Sequence, residues 1–123
     1  MSITPILLIV DDNRDLLEMY EEILQIPGMR TVALDSGIEA LEFCKENPEV
    51  KAIISDSNML EMTGMELLSN LRSYYETMPV FYLFTGAFDV DEKDVIALGG
   101  TGLILKPFDL DEILERIKKD MEK

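Results

Sequence analysis

Five short apolar runs, at residues 6–10, 31–34, 52–55, 80–84 and 103–105, constrain this chain more than any other feature. Ile6-Leu7-Leu8-Ile9-Val10 shows no alternation of apolar with polar side chains, so a strand built from it buries both faces. Burial on both faces indicates a parallel sheet sandwiched between helices. Each run is followed by a segment with helical patterning, and alternating strand and helix gives a (βα)5 arrangement of the α/β class.

Caps and stripes locate the helices. Ser36 with Glu39, Thr63 with Glu66 and Asp109 with Glu112 each set a capping residue three positions before an acid, predicting the starts of the second, third and fifth helices. In the fifth, Leu110, Ile113, Leu114, Ile117 and Met121 form one apolar stripe. The first helix is expected over residues 14–25, burying Leu17, Tyr20 and Leu24 and stopping before Pro27-Gly28. The fourth, over residues 91–98, is short, acidic and weakly patterned, and is expected to be the least stable element. Gly99-Gly100-Thr101-Gly102 reads as a turn into the fifth strand, and Met59, Met62 and Met65 as adaptable core packing. No linker, repeat or shift of composition divides the chain, so the expectation is a single domain over residues 1–123 with no output domain.

Composition removes several chemistries. Lys and Arg number 11 against 25 Asp and Glu, a net charge of −14 that repels phosphate backbones and anionic lipid. Nucleic-acid binding by this chain alone is excluded as a main role. The absence of histidine excludes Ser/His/Asp and Cys/His catalysis, histidine metal sites and a self-supplied phosphohistidine. Cys44, the only cysteine, has no partner for a disulfide or thiolate metal site, and a reducing cytoplasm is the expected location. Residues 1–5 carry no basic segment, and the run that follows stops at two aspartates, too short for a signal peptide or a membrane span.

In an open parallel sheet, ligands sit at the carboxyl ends of the strands. There the sequence places Asp11 and Asp12 after the first strand, Asp56 after the third, Thr85 after the fourth and Lys106 after the fifth. Carboxylates brought within about 5 Å repel by roughly 3 kcal/mol per pair at an effective dielectric near 20, so they protonate or a cation joins them. Hard oxygen ligands without histidine or cysteine select Mg²⁺, which leaves room for a phosphoryl oxygen. A lysine and a threonine hydroxyl supply the remaining charge and hydrogen bonding. Asp56, at the end of a buried strand, is the candidate nucleophile that becomes an acyl phosphate and then pulls on Thr85 and Lys106. Singly, each residue has a plain reading: Asp11, Asp12 and Asn13 as helix caps, Asp56 as a turn residue, Thr85 as a cap, Lys106 as a solvated charge. Convergence of all of them on one sheet edge argues against those readings taken together.

These residues resemble the receiver domains of bacterial two-component response regulators, of the chemotaxis-regulator kind. Ile6-Leu7-Leu8-Ile9-Val10-Asp11-Asp12 looks like that family's first strand and acidic pair, and Ile53-Ile54-Ser55-Asp56-Ser57-Asn58-Met59 like its phosphoacceptor segment. Thr63-Gly64-Met65-Glu66-Leu67-Leu68, Phe84-Thr85-Gly86 and Lys106-Pro107-Phe108 continue the match. The resemblance implies a flavodoxin-like three-layer α/β/α fold, strand order 2-1-3-4-5, and phosphorylation of Asp56 by a histidine kinase or histidine phosphotransfer protein. It implies Mg²⁺ on Asp12, Asp56 and the Asn58 backbone carbonyl, with Asp11 helping through water. Thr85 and Lys106 would contact the phosphoryl group, and the Lys106–Pro107 bond would be cis. The output would be protein contact with a downstream target, with only self-phosphotransfer and autodephosphorylation as chemistry.

Three positions depart from the family pattern: Leu60 where proline is usual, Thr63 where an acid is usual, and Leu103 where an inward-turning aromatic is usual. The last implies a weakened or replaced readout, and motivates a second reading as a docking receiver that does not switch. A receiver excised from a hybrid histidine kinase or a larger regulator is another alternative. Ala87, two residues past Thr85, is small enough to leave water a path to the phosphoryl group. Asp89, Asp91, Glu92 and Asp94 form either a solvated face or a surface for a basic partner. An aspartate-nucleophile phosphatase of the haloacid-dehalogenase type needs an acid where Asn58 stands. Flavin binding is disfavoured by acids in the first βα loop.

Overall fold

A computed structural model of the chain describes residues 4–86 and 90–122. Strands and helices alternate in the order β1 (Ile6–Val10), α1 (Arg14–Ile23), β2 (Arg30–Leu34), α2 (Gly37–Glu46), β3 (Val50–Asp56), α3 (Gly64–Tyr74), β4 (Val80–Thr85), α4 (Glu92–Ala97), β5 (Gly102–Leu105) and α5 (Leu110–Met121). The strands pair in parallel in the order β2-β1-β3-β4-β5, the flavodoxin-like order that the resemblance implies.

Successive side chains of a strand point to opposite faces, and the unbroken apolar runs supply both layers. Ile6, Leu8 and Val10 of β1, with Ile53, Phe81 and Leu83, meet Ala40 and Cys44 of α2, Leu67, Leu68 and Leu71 of α3, and Val95 of α4. Leu7 and Ile9, with Ala52, Ile54, Tyr82 and Phe84, meet Leu17 and Tyr20 of α1 and Ile113 and Ile117 of α5. Each fully buried Val, Leu, Ile or Phe among them contributes about 1.5–3 kcal/mol relative to exposure. The β1–β3 register slips at the exposed Lys51, since Ile6 pairs with Val50 but Leu7 with Ala52. That extra residue sends Ala52 to the α1/α5 face.

Several boundaries differ from the sequence expectations for local reasons. Helix α1 ends at Ile23 because Leu24 leaves helical geometry (φ −84, ψ 72) and turns its side chain into the core, fully buried. The Leu24 carbonyl that this exposes accepts from the Thr31 hydroxyl at 2.9 Å. Strands β3 and β4 run further than expected and take in Asp56 and Thr85 as their last residues. Asp109 caps α5 by accepting from the Asp111 N–H, whereas Thr63 and Glu66 close the full reciprocal box at α3. The α5 stripe and the buried Leu17, Tyr20 and Leu24 stand as expected. Cys44 is buried within α2, and burial pushes its thiol up to about 11. Met59 is buried, with Met62 and Met65 packed beside it. Among the described residues, no helix is long and apolar enough to cross a membrane.

Candidate functional site

The carboxyl ends of the strands bring Asp11, Asp12, Asp56, Thr85 and Lys106 to one rim of the sheet. Asp11 directly follows β1; it is 3% exposed, and its N–H donates to the Leu34 carbonyl of β2 at 3.2 Å. The Asp11 carboxylate accepts from the Asn13 N–H at 2.9 Å, and Asn13 itself caps α1 by accepting from the Leu16 N–H. Of the three residues that the plain reading offers as caps, Asn13 is the one that caps α1. Asp12, half-buried, accepts from the Leu60 N–H at 3.0 Å. Asp56 ends β3, with the Asn58 N–H donating to its Oδ2 at 3.2 Å and the Lys106 ammonium to its Oδ1 at 2.5 Å.

One carboxylate oxygen from each of Asp11, Asp12 and Asp56 lies within 4.8 Å of the other two. At that separation each ionised pair repels by roughly 3 kcal/mol at an effective dielectric near 20. Burial raises the Asp11 carboxyl above its ordinary value; the Asn13 N–H opposes the rise, Asp56 adds to it, Lys106 opposes it and Asp12 adds to it. For Lys106, burial works against the charge, but the bond to Asp56 and the negative groups around it hold the ammonium above its ordinary value. One ammonium thus answers three carboxylates. The donor set is all hard oxygen and includes a buried acid whose ionisation burial disfavours, which fits a hard divalent cation. Asn58 is exposed on the loop two residues past Asp56.

Thr85, buried at the end of β4, follows Phe84, which pairs with Asp56 across the sheet. Its carbonyl accepts from the Lys106 N–H at 2.9 Å, fixing the start of the loop after β5. Lys106–Pro107 is cis. Phe108, next in the chain, joins Phe84 and Tyr20 in a cluster of tilted and edge-on rings, with centroids 4.6 Å apart for Phe84–Phe108 and 5.9 Å for Tyr20–Phe108. Burial raises the Tyr20 phenol, and Lys106 draws it back.

Sequence reasoning missed three supports of this rim. Tyr20 reads as one more core residue of α1, yet its ring meets Phe84 and Phe108 and its phenol feels the Lys106 charge. Gly64 opens α3 so close to the acceptor strand that a Cβ there would lie 2.4 Å from the Asp56 carbonyl and from the Leu83 side chain. Leu60 reaches Asp12 through its backbone, for which no side-chain signal exists. The acidic stretch is partly structural: Asp91 caps α4, and Glu92 accepts from the Leu103 N–H at 3.0 Å. Asp89 and Ala87 lie outside the described residues. A groove of about 670 Å³, lined in part by Pro5, Ile26, Met29, Tyr75 and Pro79, is formed at the amino ends of the strands, away from the carboxylates.

Residues 7–118 match the response regulator receiver domain family. A transcriptional regulatory protein CpxR homolog of Haemophilus influenzae is 32% identical over 112 residues, covering 91% of this chain and 48% of that protein. A chemotaxis protein CheY homolog of Campylobacter jejuni is 30% identical over 115 residues, covering 91% of this chain and 88% of that protein. The crystal structure of a response regulator receiver protein from Pseudomonas putida superposes with a TM-score of 0.84 at 29% identity, covering 97% of this chain and 99% of the other. The chain spans about half the length of the transcriptional regulators it matches.

Proposed function

The chain belongs to the family of response regulator receiver domains, and on that footing we propose that Asp56 accepts a phosphoryl group from the phosphohistidine of a histidine kinase or histidine phosphotransfer protein. Receiver domains are signalling domains of two-component systems rather than classical enzymes. The observation that carries the proposal is the meeting of Asp11, Asp12 and Asp56 within 4.8 Å, with the Lys106 ammonium on Asp56.

An Asp56 oxygen attacks phosphorus in line; the P–O bond forms as the P–N bond breaks, and its electron pair returns to the imidazole nitrogen. Asp11, Asp12, Asp56 and the Asn58 carbonyl would hold Mg²⁺, which when bound supplies positive charge for the phosphoryl oxygens. Lys106 is bonded to Asp56 before transfer and passes to a phosphoryl oxygen after it, charged throughout. Thr85, anchored at the end of β4, donates its hydroxyl to another. The acyl phosphate carries close to two negative charges and draws Thr85 towards it, which biases α4 and β5. Residues 1–123 act as one receiver unit whose output is protein contact, in the reducing cytoplasm that a free buried Cys44 suits. The net charge of −14 favours basic partner surfaces over nucleic acid or anionic membrane.

Incubation with acetyl phosphate and Mg²⁺, read by intact mass, tests this. Wild type gains one phosphoryl group and Asp56→Asn gains none; equal gain in both contradicts the assignment. A second reading, a docking receiver that does not switch, draws on Leu103, whose aliphatic side chain packs against the core and whose N–H is held by Glu92. Equal affinity of a partner for the phosphorylated and unphosphorylated forms would favour it.

A further inference from the structure

We infer that the backbone N–H of Leu60 is a positioning group for the cation site, holding the Asp12 carboxylate beside Asp11 and Asp56 and thereby raising the affinity of the rim for Mg²⁺. The inference rests on the phosphoacceptor reading for its cation and assigns to position 60 a role that reading does not contain.

Each carboxylate of the cluster is held by a donor. Asn13 N–H serves Asp11, Asn58 N–H and Lys106 serve Asp56, and Asp12 receives the Leu60 N–H at 3.0 Å across 48 positions of sequence. Asp12 is half-buried, so without that donor the repulsion of two neighbouring carboxylates drives it towards water. An ion arriving at such a rim would first have to draw it back. The Leu60 side chain is 80% exposed, so packing does not explain what the position contributes. The backbone around it is shaped to aim the donor. The Met62 N–H donates to the Leu60 carbonyl at 2.7 Å, and Glu61 adopts φ 67, a left-handed conformation that L side chains rarely take. Beyond them the capping box at Thr63 and the buried Gly64 tie the loop to α3. The donor is uncharged, so it fixes an Asp12 oxygen without neutralising the carboxylate that an ion would meet. Hydrogen bonds that orient a metal ligand typically change affinity 10- to 100-fold.

Calorimetric Mg²⁺ titration of wild type, Leu60→Pro and Leu60→Ala tests the inference. Proline deletes the donor, and alanine trims the exposed side chain while keeping it. The expected result is a roughly 10-fold weaker affinity in Leu60→Pro and rescue to within about twofold of wild type in Leu60→Ala. Wild type that binds while Leu60→Pro binds equally well overturns this inference and leaves the phosphoacceptor reading intact; wild type that takes up no Mg²⁺ overturns both. Amide hydrogen exchange in wild type decides independently of whether the proline variant folds. A Leu60 amide that stays slow at Mg²⁺ saturation supports the assignment, and one that exchanges faster on saturation overturns it.

Discussion

Helices α3 and α4 flank the rim from the same side of the sheet, yet they are attached in different ways. Helix α3 is 11 residues long, starts in a reciprocal capping box and buries Gly64, Leu67, Leu68 and Leu71. Helix α4 is six residues long, buries only Val95, and is tied to β5 by the Glu92 carboxylate on the Leu103 N–H. The acceptor strand β3 is thus braced by a helix that packing over-determines, Gly64 lying against the Asp56 backbone, while the neighbouring helix is held by few contacts. Chemistry needs Asp56 fixed to a fraction of an ångström, and a readout needs an element whose alternatives lie within reach of one phosphoryl charge.

The contrast breaks most readily at Gly64. Gly64→Ala is expected to destabilise the fold by about 2–3 kcal/mol, because the new methyl meets backbone at Asp56 and cannot be accommodated by side-chain rotation. Urea denaturation measures it, and a loss below about 0.5 kcal/mol would show that the α3 start is not pinned.

Electrostatics and packing within the acceptor half separate at Asp11. In chelator-treated protein, Asp11→Asn is expected to stabilise the fold at pH 7 by about 1–2 kcal/mol, removing a buried charge that repels its neighbours. The sign follows from the raised carboxyl. The wild-type deficit is present above that raised value, shrinks as pH falls through it, and vanishes below the ordinary value of 3.8, where the folded and unfolded forms are both protonated. A gain that persists at the same size in strong acid would contradict this cause. Thr63→Ala, which opens the capping box, is expected to cost about 1 kcal/mol in the same assay. The smallest effect belongs to Glu92→Ala. Global stability should fall by only about 0.5 kcal/mol, yet amide exchange in α4 and at Leu103 should accelerate while α3 stays protected. Equal acceleration in both helices would erase the distinction between them.

What the sequence made legible follows the same divide between side chains and backbone. The strands were readable because burial on both faces leaves unbroken runs such as Ile6–Val10. The rim residues were readable because a parallel sheet gathers its strand ends whatever the loops do. The cap at Thr63 was readable from side chains three positions apart. By contrast, the Leu60 donor, the left-handed Glu61 and the tie from Glu92 to Leu103 depend on backbone direction, and no pattern of residue types encodes them. Asp109 shows the limit within local motifs, since the same cap-x-x-acid spacing as Thr63–Glu66 resolves into a shorter cap on Asp111. Helix α1 stops early for a tertiary reason, the burial of Leu24, that helical periodicity alone does not contain.

Hydrogen exchange before and after treatment with acetyl phosphate and Mg²⁺, with Asp56→Asn as control, tests the account at its centre. The account predicts altered exchange in α4 and β5 of wild type, unchanged exchange in α3, and no response in the variant. Altered exchange confined to α3, or an equal response from Asp56→Asn, would contradict it.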